Sequence, residues 1–345
     1  MIPIETSQMT SDWLSHVLGI QVTDSRLVEA NSGTTGRAVI EVEYGEPSNL
    51  PRKIFIKHPP ADEQQRAFVS AIGMGVREVE YYRHLSAESP VRVPHCYYAD
   101  HDDNGAQYIM VLEHLEESGC TFRNASSRYS LDYVRSILDA FARLHAKYWQ
   151  SERFQTDLKW VEPFLHHEIT SVLIEKALTN YGDQLPSVFS EMAELYLANP
   201  SGVHALWTVG PQTLVHGDVH DGNMFFDGDE PGFLDWAVVA RGPAMRDVGY
   251  FLGGTLTAED QEKHGAQLVD YYRDRLRDNG ISTSSGDDLY SQYQWHIAYV
   301  WLSTTVTLAM DGAWQPNNYL LSALKKVHAA MEAQAVVPAL KSALA

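Results

Sequence analysis

The chain has 345 residues, 44% of them apolar and 21% charged, a globular composition that excludes global disorder. Two cysteines, Cys96 and Cys120, exclude a disulfide scaffold and point to a reducing compartment. Lys and Arg number 26 against 45 Asp and Glu, and the net charge of -19 opposes nucleic acid and anionic membrane as partners. In chain order, residues 10–19 predict a short capped helix with Trp13, Leu14, Val17 and Leu18 on its apolar face and Gly19 as its stop. Period-two patterning over 26–57 gives strands at 37–44 and 53–57, with a Pro/Gly-rich turn between them. Residues 62–86 read as helix interrupted at the Gly-Met-Gly of 73–75, and 107–113 reads as a strand buried on both faces. A strong helix follows at 130–149, capped by Ser130, and further helical stretches lie at 163–198, 258–278, 288–311 and 317–344. Residues 280–288 predict a surface loop. Strands first and helices later indicate an α+β chain, and its length suits two domains or one bilobal unit. The N-terminus has neither a basic nor an apolar run of the signal-peptide kind. No apolar segment reaches the roughly 18–20 residues of a membrane span, so a cytoplasmic protein is expected.

The chemistry concentrates between Leu214 and Trp236. Two apolar residues lead into His216-Gly-Asp218-Val-His220-Asp-Gly-Asn223. Two short apolar runs, Met224–Phe226 and Phe233–Leu234, then flank a turn at Asp227–Pro231, which is a hairpin signature. If Phe226 pairs with Gly232, Asn223 falls opposite Asp235, and directly opposed residues sit about 5 Å apart. An amide oxygen and a carboxylate at that separation suit a hard cation such as Mg²⁺, whose remaining positions substrate phosphates fill. Asp218 precedes Asn223 by five positions, the spacing at which a kinase catalytic loop places its base and its metal ligand. Phosphoryl transfer needs the base beside the attacking oxygen and the metal beside the phosphate, so one short loop carries both.

This segment, with Phe233-Leu-Asp235-Trp236 after it, resembles the catalytic motif and metal-binding Asp of the aminoglycoside phosphotransferase/choline kinase superfamily. The resemblance implies a bilobal protein-kinase-like fold: a small β-rich N-lobe over 1–115, with a hinge near 113–115, and a helical C-lobe over 116–345. It also implies ATP as nucleotide and Mg²⁺ as cofactor. Asp218 would be the base, and Asn223 and Asp235 the metal ligands. The Asn31–Gly36 stretch resembles the nucleotide loop, which puts backbone of Gly33 and Gly36 on phosphates. Lys57 would contact the α/β-phosphates, with Lys53 as fallback, and Glu78 would pair with it, with Glu80 as rival. Those two glutamates point roughly 200° apart on a helix, so one of them faces the cleft. Backbone groups of Glu113 and Leu115 would meet adenine. His145-Ala-Lys-Tyr-Trp149 leans toward the choline-kinase-like and ecdysteroid-kinase-like branch. Gly217 stands where protein kinases carry Arg, and no activation-loop pattern follows Asp235, so a small-molecule acceptor is favoured over a protein.

His216 is expected to be structural and Asp247 to cap or brace the catalytic loop. Trp295, Tyr299, Trp301 and Trp314 fall where the superfamily builds its acceptor pocket. Their faces would suit a quaternary amine, a sterol-like alcohol or an aromatic alcohol, with core packing as the plainer role. The expected partners are a nucleotide and a small hydroxyl acceptor, and the candidate assembly is a homodimer. Two other readings stand beside the kinase. One is a nucleotide-binding protein without catalysis. The other is a metal-dependent hydrolase using His216, Asp218 and His220.

Overall fold

The computed structural model describes residues 2–123, 129–164, 167–282 and 288–345. In chain order its elements begin α1 (Ser11–Leu18), β1 (Val22–Ser32), β2 (Gly36–Tyr44), β3 (Lys53–His58), α2 (Glu63–Ala71), α3 (Met74–His84), β4 (Cys96–His101) and β5 (Tyr108–Glu113). There follow α4 (Leu131–Lys147), α5 (Glu168–Tyr181), α6 (Ser187–Ala198), α7 (Pro200–Leu206), β6 (Gln212–Val215), β7 (Met224–Asp227) and β8 (Glu230–Phe233). The chain ends with β9 (Ala240–Pro243), α8 (Met245–Thr255), α9 (Ala258–Asp278), α10 (Leu289–Leu308), α11 (Asn317–Ala333) and α12 (Val336–Leu344). Two compact units emerge: Met1–Asn124 with Asn223–Val239, and Ala125–Gly222 with Ala240–Ala345. The chain is α+β, and its sheet and most of its helices segregate between these units.

The first unit is built on a five-stranded antiparallel sheet in the order β1-β2-β3-β5-β4. Ile40, Val42, Ile54, Ile56, Ile109 and Val111 form its core with Leu14 of α1. All six residues of β5 are buried, as its unbroken apolar run predicts. The edge strands β1 and β4 are absent from the sequence expectation. β1 is exposed along most of its length, so it lacks the apolar alternation that reveals a strand. The interruption at 73–75 is real: Gly73 adopts φ +69° at the start of α3. Gly75 lets α3 reach β5, because a Cβ there would stand 2.2 Å from the Tyr108 ring.

The β7–β8 hairpin corrects one expectation. Phe226 pairs with Pro231 and Phe225 with Gly232, so the register differs by one residue from the expected one. Asp227 pairs with Glu230 across a two-residue turn in which Gly228 takes φ +60°. Gly at the first central position is what a type II′ hairpin turn requires, and that turn is shorter than the one expected. Asn223 therefore faces Leu234, whose N–H donates to the Asn223 carbonyl at 3.0 Å, and not Asp235.

The second unit is helical, with the two-stranded β6–β9 ribbon inside it. Ser130 caps α4 through its side chain, accepting from Tyr133 N. Two expected long helices are each broken in two. Pro186 separates α5 from α6, and Ala335, in the left-handed region at φ +50°, separates α11 from α12. α8 is missing from the sequence reading because nearly every one of its residues is buried, which removes the 3.6-residue polarity wave. Of the expected loop at 280–288, residues 283–287 lie outside the described residues.

Candidate active site

In the first unit one buried lysine joins two carboxylates. Lys57 Nζ lies 2.5 Å from Glu78 Oε2 and 2.7 Å from Asp235 Oδ1. β3 supplies the lysine and α3 the glutamate; both are buried. Between the rivals the geometry is unambiguous, since Glu80 turns instead to Arg83, His84 and His101. Burial pulls the Lys57 ammonium pKa down, but the two carboxylates outweigh it and raise the value above the ordinary range. Burial pushes Glu78 up to about 7, because Lys57 offsets only part of the desolvation and the Asp235 charge adds to it. Asp235 itself sits at φ +63°, a left-handed conformation that Asp tolerates better than most residues. Trp236, next to it, stacks on Tyr81 of α3 with centroids 3.9 Å apart and planes 5° from parallel. One helix thus sets both Glu78 and the segment that carries Asp235.

Sequence reasoning passed over Arg37. It is paired with Lys57 across β2–β3, and its guanidinium reaches 3.7 Å from Asp235 Oδ2. Its place directly after Gly36 was the available signal. Ser32 pairs with Gly36, which leaves Gly33, Thr34 and Thr35 at the hairpin tip. A Cβ on Gly36 would meet the His58 ring at 2.3 Å, whereas Gly33 has open space around it. At the end of β5, Glu113 receives Arg92 Nη2 at 2.6 Å and His95 N at 2.9 Å on its carboxylate. Its own N–H donates to the His95 carbonyl, and the Leu115 carbonyl accepts from Cys120 N.

In the second unit the residues around Asp218 are fixed by a buried brace. Asp247, fully buried near the start of α8, accepts from the His216 and Gly217 N–H groups, each at 2.8 Å. His145 of α4 lies 3.2 Å from the same carboxylate, and Tyr272 of α9 lies 2.7 Å from the other nitrogen of that ring. Burial pushes the Asp247 pKa up, yet these donors hold it below the ordinary carboxylate range. Both structural expectations are met here, because His216 Nδ1 in turn accepts from Asp218 N at 3.3 Å. The Asp218 side chain remains 37% exposed. Tyr250 of α8 donates its hydroxyl to Asp218 Oδ1 at 2.7 Å, and His220 Nε2 lies 3.5 Å from Oδ2. Burial pushes Asp218 up, but His220 and Tyr250 together bring it to about 2. Tyr250 was also missed; its place one turn beyond Asp247 on a buried helix was the signal.

The donor types of Asp235 and Asn223, a carboxylate and an amide oxygen, fit a hard divalent cation. Among the described residues no three His, Cys, Asp or Glu side chains gather as a metal-holding group, and His216 is engaged by Asp218 N. A cavity of about 490 Å³ lined by Gln150, Phe154, Gln212 and Arg241 contains none of the site residues. Of the four singled-out aromatics, Trp301 is buried against Phe189, and Tyr299 offers its ring face to Arg246 at 3.6 Å. Among the described residues no helix is long and apolar enough to cross a membrane.

Residues 32–280 match the model of the phosphotransferase enzyme family. Methylthioribose kinase of Bacillus velezensis is 28% identical over 264 residues, which are 70% of this chain and 56% of that protein. The chain thus spans little more than half the length of this curated relative. Wild-type aminoglycoside 2'-phosphotransferase-IIIa in its GDP complex shares the fold at TM-score 0.53 and 12% identity, over 95% of this chain and 99% of that one. Choline kinase of Cryptosporidium parvum does so at TM-score 0.51 and 10% identity, over 93% of each.

Proposed function

Because the chain belongs to the phosphotransferase enzyme family, we propose that it transfers the γ-phosphate of ATP to a hydroxyl of a small molecule. The observation that carries this reading is the Lys57 ammonium held between Glu78 and Asp235 at 2.5 and 2.7 Å. A buried ion pair is a poor source of stability by itself, so its retention suits a task. On this reading Lys57, fixed by Glu78, neutralises the α/β-phosphates, and Arg37 stands beside it on the same ladder. Backbone at Gly33 and Gly36 lies along the phosphates, and Glu113 and Leu115 meet the base. Residues 1–115, up to the hinge at 113–115, take the nucleotide, and residues 116–345 carry the catalytic loop, the metal ligands and the acceptor site. Asn223 and Asp235 would hold Mg²⁺, which when bound neutralises charge on the phosphate oxygens.

Asp218 faces the acceptor. Its low proton affinity keeps it ionised at neutral pH, so it orients the hydroxyl and takes the proton only as the new O–P bond forms. Tyr250 holds one oxygen of that carboxylate, and the Asp247 brace holds the backbone N–H groups of His216 and Gly217. Methylthioribose kinase and choline kinase, by their names, act on small hydroxyl compounds, which favours the same class here. Two measurements test the reading. Isothermal titration should show Mg·ATP binding to wild type and a weaker affinity for Asp235→Ala. A library of hydroxyl compounds, followed by coupled ADP release, should reveal a substrate that Asp218→Ala does not turn over. Binding of Mg·ATP with no acceptor in any class would favour the non-catalytic nucleotide-binding reading instead.

A further inference from the structure

Arg246 is the second residue of α8 and is 3% exposed. Its guanidinium carbon sits in a wedge between two rings, 3.5 Å from the Phe164 centroid and 3.6 Å from that of Tyr299. Among the described residues its Nε has no hydrogen-bond partner and no carboxylate forms an ion pair with it; the guanidinium hydrogen-bonds to Tyr299 and feels the Asp247 charge, but burial outweighs both and lowers its pKa. Asp247, the next residue, has its oxygens engaged by the His216 and Gly217 N–H groups and by His145. His296 is fully buried, neither ring nitrogen is bonded among the described residues, and burial together with the Arg246 charge keeps it neutral.

Tyr299 and the already engaged Asp247 carboxylate offset only part of the cost of burying this charge. Each ring face returns about 0.5–2 kcal/mol to a desolvated cation. The effective penalty for burying an ion is several kcal/mol. A cation in the first turn of a helix also opposes the helix dipole. The missing component is an anion. The rings hold the faces of the guanidinium and Tyr299 takes one hydrogen bond from it, so the unpartnered Nε side of its N–H edge is what a carboxylate or phosphate oxygen would meet. The position is informative too. Tyr250 lies one turn along α8 from Arg246, about 6 Å of rise and on the same face. Its hydroxyl holds Asp218, and its ring lies 5.9 Å from that of Tyr299.

We infer that Arg246 receives an anionic group of the phosphate acceptor, which makes the acceptor a hydroxyl compound bearing a carboxylate or phosphate. The inference rests on Asp218 as the residue that orients the acceptor hydroxyl. It reverses the amine reading of the aromatic cluster, because the face of Tyr299 that would hold a quaternary ammonium already holds this arginine.

The test is calorimetric titration of the full chain, without nucleotide, using matched pairs of probes. The pairs are glycerate, lactate and mandelate against their methyl esters, and glycerol phosphate against glycerol. At least one anion should bind more tightly than its neutral partner by about tenfold or more, as a charge-assisted hydrogen bond gives. The carboxylate and phosphate arms identify which oxyanion fits. In Arg246→Gln the preference should vanish while Mg·ATP affinity stays within about twofold, and Arg246→Lys should retain part of it. The proposal is overturned if no anion outbinds its partner on wild type, or if the preference survives Arg246→Gln. The wild-type comparison decides even where a variant does not fold. Failure of Mg·ATP to bind wild type would sink the kinase reading and leave the anion result standing.

Discussion

At Asp218 burial and neighbours pull in opposite directions, and the neighbours win. The carboxyl is set at about 2 by His220 and Tyr250 against the desolvation that raises it. An unfolded Asp titrates near 3.9, so the fold favours the ionised form. This contribution is complete above about pH 4 and is lost as pH falls toward about 2. Urea midpoints measured from neutral pH downward should therefore fall less steeply over that window in Asp218→Asn than in wild type. Tyr250→Phe removes a hydrogen bond to a charged group while keeping the ring. The expected result is a kcat lower by roughly 10–100-fold with Mg·ATP affinity unchanged. A purely structural tyrosine would lower stability and leave kcat per folded molecule alone. Lys57→Met leaves Glu78 buried without its cation, which should destabilise the protein by about 3–5 kcal/mol. Glu78→Gln in the same background should recover part of that loss, read from urea unfolding.

Helix α3 carries more of the site than its length suggests. It holds Glu78 against Lys57 and Tyr81 against Trp236, and it reaches β5 only because residue 75 has no side chain. Gly75→Ala places a carbon 2.2 Å from the Tyr108 ring, and relieving that overlap should cost about 1–3 kcal/mol. The shift should also weaken Mg·ATP binding, measured by calorimetry, although residue 75 touches none of the proposed ligands. Asp247→Ala leaves the His216 and Gly217 N–H groups buried without an acceptor, so stability and turnover should fall together. α4, α9 and β2 were legible in the sequence by their apolar rhythm, and β5 by its short unbroken apolar run. α8 was not, because burial on nearly every face leaves no rhythm, and it holds Arg246, Asp247 and Tyr250. The β7–β8 hairpin was legible as a hairpin but not in register. A one-residue difference in register moves every pairing, and Gly228 at positive φ marks the two-residue turn that sets it.

Over the whole molecule, the -19 charge excludes polyanions as bulk partners but not as ligands. Lys57 and Arg37 present cations locally on one ladder, and Arg246 buries another in the second unit. Long-range charge thus governs solubility, while recognition depends on a few desolvated cations. The motif around Asp218 was legible because Asp218 and Asn223, the proposed base and metal ligand, stand five positions apart in one short loop. The residues that tune it were not, because Tyr250 and Asp247 reach that loop from a helix about 30 residues further along the chain. The proposed anion site follows the same logic, since Arg246 is held by rings from distant segments, Phe164 and Tyr299. The central claim is Mg·ATP-dependent phosphorylation of a small hydroxyl compound with Asp218 orienting the acceptor. Its most direct test is coupled ADP release over a library of hydroxyl compounds, run on wild type and Asp218→Ala side by side. The account predicts turnover of at least one acceptor by wild type and a loss of about a hundredfold or more in the variant, with Mg·ATP affinity preserved. Near-wild-type turnover by Asp218→Ala on that acceptor would contradict it.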